Sequence, residues 1–327
     1  MKIGKLPETT LQKVIFEQLN HKRDEVLIGP GIGEDCAALQ LENDEVMVMS
    51  TDPITGTSQD LGLLAVHITA NDLVSSGAEP IGLMVTALLP PATKESELRE
   101  IIKQLQKEAS SLNMMVIGGH TEVTDVVKQP LLSITGVGKV KKDHLLSGKN
   151  AKPGQDIVVT KQVGLEGTGI IAREKEEELR ARFPAGFIKE AKACMEEISV
   201  VPEGLIGRKF ASVMHDVTEG GIYGALWEVA KASNVGLEVE IEKIPLRQHT
   251  IELCEYYDLN PYQLISSGSM LMVTDHGSGL IHELEKAGIE ASLIGRITKG
   301  NEKLVYREGK PGNLEAPKQD ELYKIYE

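Results

Sequence analysis

The chain has 327 residues, 41% of them apolar, and a formal net charge of -14. That length and apolar content support two buried cores, and the negative balance argues against a nucleic-acid or anionic-membrane surface and favours a small, metal-bound anion. Cys36, Cys194 and Cys254 lie far apart with no CxxC pair, which suggests neither a disulfide framework nor a thiolate zinc site and suits a reducing cytoplasm.

The first twelve residues, MKIGKLPETTLQ, lack an apolar signal core, and no stretch approaches about 18 continuous apolar residues, so the expectation is a soluble cytoplasmic protein. Helical and extended patterns then alternate, the rhythm of a mixed α/β protein. Leu11, Val14, Ile15 and Leu19 predict a helix over 8–20, followed by a glycine-rich acidic loop, GPGIGEDCAAL (29–39). The run VMVMS (46–50) predicts a strand that delivers Thr51 and Asp52 at its carboxyl end, inside the motif STDPITG. GLLAVHITANDLVSSG (62–77) predicts a helix carrying Asn71 and Asp72, with Gly77 as its stop. IGLMVTALL (81–89) reads as a strand, and Leu98, Ile101, Ile102 and Leu105 mark the buried stripe of a surface helix over 94–112. MMVIGG then reads as a strand that ends at the glycine turn GGHT, residues 118–121.

SGKNAKPGQD (147–156) collects glycine, proline and charge between apolar segments and places a domain junction near Lys152, giving domains over 1–150 and 151–327. Beyond it come the strand DIVVTK, the glycine-spaced GLEGTGIIA, and a charged helix, REKEEELRARF, read as a solvated face. The strand ASVMHDVTEGG meets the helix IYGALWEVAKA, which sets Asp216 and Glu219 beside Gly220 and Gly221. Further strand and helix patterns complete a second α/β unit, and the last fifteen or so residues read as a polar tail with weak structure.

Each acidic motif has a bland alternative. Asp52 after a strand serves equally as a turn or helix cap, Glu219 as a helix cap, Cys36 as a small buried side chain, and His120 as a hydrogen-bonded structural residue. Asp72 is harder to dismiss. A carboxylate inside an apolar helix needs a cation, a partner or a solvent-lined cleft. Acidic residues at the ends of several apolar runs, with glycines that admit phosphate oxygens, suit a magnesium-bound polyphosphate.

Taken in order, GIGEDCAAL, STD, TANDLVSSGAEP, GGHTEV and HDVTEGGIYGALWEVA resemble the motifs of the aminoimidazole ribonucleotide synthetase (AIR synthase) related superfamily over nearly the whole chain. That superfamily includes thiamine monophosphate kinase, selenophosphate synthetase and the carbamoyl dehydratase of hydrogenase maturation, and the motif order is most similar to the maturation branch. The resemblance implies a two-domain α/β fold, with the amino-terminal sheets of two subunits forming a barrel across a homodimer and a carboxyl-terminal α/β domain. It implies ATP and Mg2+ as cofactors, with Asp35, Asp52, Asp72 and Asp216 as metal ligands. Thr51, Asn71, Gly118, Gly119, Thr121, Gly220 and Gly221 would contact the nucleotide, and Asp72 and His120 are the candidate catalytic residues.

The implied chemistry is ATP-dependent activation of an amide, carbamoyl or phosphate oxygen on a small-molecule or protein-tethered acceptor, with no nucleic acid or membrane involved. Two departures bear on it. The maturation enzyme carries its substrate on a cysteine at its extreme carboxyl terminus, whereas this sequence ends YKIYE and its last cysteine is Cys254, so the same reaction is not expected in the same form. Many relatives have an acidic residue where this chain has His120. Selenide activation is not expected, because the amino-terminal glycine, cysteine and lysine segment of selenophosphate synthetases is missing. The competing readings are a nucleotide-binding accessory protein without turnover, a small-molecule kinase of the thiamine monophosphate kinase type, and a metal-dependent hydrolase.

Overall fold

The computed structural model describes residues 8–10, 26–28, 31–34, 36–40, 44–54 and 60–326. The helix expected over 8–20 falls largely outside them, and only the turn α1 (Glu8–Thr10) is described. Two compact units emerge: one from described residues within 24–29 and 35–145, the other from those within 30–34 and 146–326 together with α1. Each has its own mixed sheet.

The first unit contains β1 (Val26–Ile28), β2 (Ala37–Gln40), β3 (Glu45–Ile54), β4 (Glu79–Leu89), β5 (Met115–Val123) and β6 (Leu131–Lys141), in the order β1-β2-β3-β6-β4-β5. Among the described residues of this unit, only β4 and β5 pair in parallel. Along β3, Val46, Val48, Ser50 and Ile54 are buried while Glu45, Thr51 and Pro53 are exposed, the period-two signature of a strand covered on one face. The cover is α2 (Leu61–Ser75), in which every residue except Leu63 and Ile68 is buried. Such all-round burial requires packing on two sides, and α2 lies between the sheet and α3 (Glu95–Ser111). In α3 the buried residues include Ile101, Leu105 and Ala109. Ile102, expected in that stripe, is instead 42% exposed, because the stripe recurs at 101, 105 and 109 and leaves its neighbour on the flank.

The expected glycine turn at GGHT is not a turn. β5 continues through Gly118, Gly119, His120 and Thr121 as far as Val123. Gly119 has φ +150, and a Cβ there would lie 2.0 Å from Val85 O, so the close approach of β4 requires glycine. At this edge of the sheet Ile81, Met84, Met115, Ile117 and Val123 are exposed.

The second unit runs β7 (Asp156–Thr160), α4 (Leu165–Glu174), α5 (Glu176–Leu179), α6 (Ala185–Ala193), α7 (Val201–Gly207), β8 (Ala211–Asp216), α8 (Gly221–Ser233), β9 (Gly236–Glu240), α9 (Gln248–Tyr256), β10 (Met270–Thr274), α10 (Gly277–Lys286), β11 (Ala291–Thr298), β12 (Lys303–Arg307) and β13 (Lys310–Asn313). Its strand order is β13-β12-β9-β11-β7-β10-β8. Ile157, Val159, Val213, Leu237 and Leu271 of the sheet share a core with Ile222, Leu226 and Val229 of α8. REKEEELRARF does not form one helix. α4 ends at Glu174, and the short α5 turns so that Leu179 is fully buried.

The segment expected to be a weakly structured tail is folded. Leu314, Asp320, Leu322 and Ile325 are buried, and Glu321–Tyr326 forms a 3-10 helix. Its anchors are long-range backbone contacts, which local polarity does not encode. Among the described residues no helix is long and apolar enough to cross a membrane.

Candidate functional site

Strand parity decides which residues of the STD motif share a face. Ser50 and Asp52, two apart on β3, point to the side covered by α2, whereas Thr51 points to the opposite side, with its Oγ1 3.0 Å from Thr135 Oγ1. Ser50 Oγ–H donates to Asp72 Oδ2 at 2.5 Å, and Asp52 Oδ2 lies 3.4 Å from the same hydroxyl. Ser50 is 6% and Asp72 8% exposed, and Asp52 is half-buried. Cys36 Sγ–H donates to the carbonyl of Asp72 at 2.9 Å. Asn71, the preceding residue of α2, is fully buried, and its carbonyl accepts Ser75 Oγ–H at 2.9 Å. Sequence-predicted Asp52 and Asp72 therefore meet, with Ser50 and Cys36 as neighbours. Asp35 lies outside the described residues.

Two carboxylates that share one hydroxyl repel each other unless a cation or proton intervenes. The donors are hard oxygens, which fits magnesium: it commonly takes one or two carboxylates and leaves the other positions to water and phosphate. Among the described residues no group of three or more His, Cys, Asp and Glu side chains is arranged to hold a metal by itself. A cation on Asp52 and Asp72 would thus need ligands beyond this pair, with phosphate and water among them.

Gly118, Gly119, His120 and Thr121 line a cleft of about 330 Å³ with Val85, Val116, Ile102, Leu105 and Gln106. Asp52 and Asp72 are not among its lining residues. His120 is exposed, with Nε2 3.6 Å from Glu122 Oε2, a solvent-accessible pair of little energetic weight.

In the second unit Asp216 ends β8 and is 1% exposed. Its carbonyl accepts His215 Nδ1–H at 2.7 Å, and His215 Nε2 lies 3.0 Å from Glu228 Oε2. Gly220 and Gly221 both have positive φ, and a Cβ on Gly221 would sit 2.6 Å from Tyr262 O. Gly220 N–H donates to Asp320 Oδ2 at 2.6 Å and Gly221 N–H to Thr218 O at 3.0 Å, so both amides are engaged by the chain itself. Asp320 also accepts the amides of Leu322 at 2.8 Å and Ile265 at 3.2 Å. Burial pushes its carboxyl up to about 6 against those hydrogen bonds. Glu166, in the first turn of α4 and 2% exposed, is pushed up to about 7 by burial; hydrogen bonds from Ser267 oppose this, and the charges of Asp320 and Asp216 add to it.

Ser50, Glu166 and Asp320 were not among the residues expected from sequence. Strand parity within STD could have found Ser50, and Glu166 carried the same signal as Asp72, a lone acid in an apolar helix. Asp320 had little local signal, since two of its three partners, the amides of Gly220 and Ile265, are distant in sequence.

Residues 33–140 match the family model described as AIR synthase related protein, N-terminal domain, and residues 152–307 match the model of the corresponding C-terminal domain. A putative hydrogenase expression/formation protein of Methanocaldococcus jannaschii is 26% identical, over 90% of this chain and 89% of that one. The carbamoyl dehydratase HypE of Cupriavidus necator is 25% identical, over 86% and 82% respectively. Among solved structures, the hydrogenase maturation protein HypE in complex with ATP superposes with a TM-score of 0.71 at 21% identity, covering 98% of this chain and 97% of that one, a likeness of fold. The two domain matches, in order and across both units, establish that this chain belongs to the AIR synthase related family.

Proposed function

We propose that the chain is an ATP- and magnesium-dependent enzyme that activates an amide, carbamoyl or phosphate oxygen by phosphoryl transfer. The observation that carries this reading is the convergence of Asp52 and Asp72 on the single hydroxyl of Ser50. It is supported by the similarity to a protein named a carbamoyl dehydratase and by the shared fold with an ATP-bound maturation protein. Asp52 and Asp72, with Asp35, would hold magnesium, which when bound offsets the charge on the phosphoryl oxygens. The protein's own contribution is to orient the reactants. Gly118, Gly119 and Thr121 would border the phosphates, Asn71 would donate a hydrogen bond beside the metal, and His120 would carry a proton at the mouth of its cleft.

In this reading residues 1–150 form the nucleotide and dimer domain, and 151–327 the second domain. The exposed Ile81, Met84, Met115, Ile117 and Val123 favour pairing with the same sheet of a second copy, since apolar side chains concentrated at a sheet edge usually mark an interaction surface. The test is ADP release from ATP and Mg2+ on supplying a panel of carbamoyl, amide and phosphate compounds, free or carried on a peptide. Acceptor-dependent release is expected with at least one class. Nucleotide binding with no release for any class would favour the accessory-protein reading instead.

A further inference from the structure

We infer that Ser50 is a positioning residue that holds Asp72 Oδ2 and thereby orients this carboxylate toward the cation. The inference rests on the magnesium and ATP reading above, and deepens it. A serine hydroxyl has one proton. At 2.5 Å from Asp72 Oδ2 and 3.4 Å from Asp52 Oδ2, that proton belongs to Asp72. Oδ2 is thus engaged inside the protein, which limits rotation of the Asp72 carboxylate.

The backbone of Asp72 is held as well. Near the end of α2 the amide of Ser76 turns to Leu73 O at 3.3 Å, while Cys36 Sγ–H reaches the carbonyl of Asp72 at 2.9 Å. Two donors from separate segments therefore act on one residue, one on its side chain and one on its main chain. Neither is a candidate metal ligand. Ser50 and Cys36 are 6% and 8% exposed, so bulk water competes little with either bond. Hydrogen-bond partners of metal-ligating carboxylates set ligand orientation, and their removal typically costs roughly 10- to 100-fold in metal affinity.

The experiment titrates Mg2+ at fixed concentration of a non-hydrolysable ATP analogue, using the full chain, with binding read by calorimetry. Ser50→Ala is expected to raise the Mg2+ concentration for half-maximal binding by roughly 10-fold or more, with wild-type analogue affinity recovered at saturating Mg2+. Ser50→Thr keeps the hydroxyl on a residue suited to a strand and is expected to stay close to wild type. An unchanged Mg2+ requirement in Ser50→Ala, alongside lost binding in Asp72→Asn, would overturn the positioning role. Equal impairment of Ser50→Ala and Ser50→Thr would overturn it too, since packing and not the hydroxyl would then be responsible. Should wild-type protein itself show no Mg2+-dependent binding, the magnesium and ATP reading falls and this inference with it, an outcome distinguishable by the wild-type trace alone.

Discussion

Replacing Glu166 with Gln keeps the side-chain volume and an oxygen that can accept Ser267 N–H, which lies 3.3 Å from Glu166 Oε2, but removes the ionisable proton. Burial raises the Glu166 carboxyl from 4.5 to about 7, so the folded protein retains this proton over a range in which the unfolded chain releases it. The sign follows. Glu166 weighs least on stability below pH 4.5, where both states are protonated, and its cost grows as pH rises through 7, where a buried anion must be tolerated. Linkage converts this to under about 1 kcal/mol at pH 5 and about 3 kcal/mol at pH 8. Glu166→Gln should therefore be more stable than wild type at pH 8, by roughly 6 to 12 °C in the melting temperature of the second unit, and nearly equal at pH 5. Thermal unfolding followed by circular dichroism and calorimetry across that range measures it. A Glu166→Gln variant that is less stable at pH 8, or shifted equally at both pH values, would refute the reasoning.

Asp320→Ala removes the acceptor of three backbone amides and should lower unfolding free energy by roughly 3 kcal/mol in denaturant titration, a change below about 1 kcal/mol contradicting that anchoring role. Gly119→Ala, whose Cβ would lie 2.0 Å from Val85 O, should cost about 3 kcal/mol or more, while Gly118→Ala, with nothing within 4 Å, should leave stability within about 1 kcal/mol. If Gly118 borders the phosphates, its alanine variant changes analogue affinity without a change in melting temperature. Thr51→Ala should leave the Mg2+ requirement unaltered, because its side chain lies across the sheet from Asp72 and contacts Thr135. A shift as large as that of Ser50→Ala would contradict the assignment of faces.

Much of the first unit was legible in sequence because its signals are local. The apolar run 46–50 marked β3, and the apolar span around Asn71 and Asp72 marked α2. What local pattern did not carry was how residues meet. GGHT looked like a turn because glycines usually break strands, yet Gly119 is there to let β4 come close. Gly220 and Gly221 are read from sequence as nucleotide contacts, and the structure adds what local pattern does not show, that their amides donate to Asp320 and Thr218. The final segment looked polar because its charged residues outnumber Leu314, Leu322 and Ile325, which are the residues that bury it. Ser50 was in view within STD but silent, since its role depends on α2 crossing β3 at that height.

In the proposed function Asp52 and Asp72 belong to the protein part of a magnesium and nucleotide site. Calorimetric binding of a non-hydrolysable ATP analogue to wild type and to Asp72→Asn, each with and without Mg2+, tests it most directly. Wild type should bind only with Mg2+, and Asp72→Asn should lose that binding while its melting profile stays intact. Equal affinity in the two proteins, or binding indifferent to Mg2+, would contradict the claim.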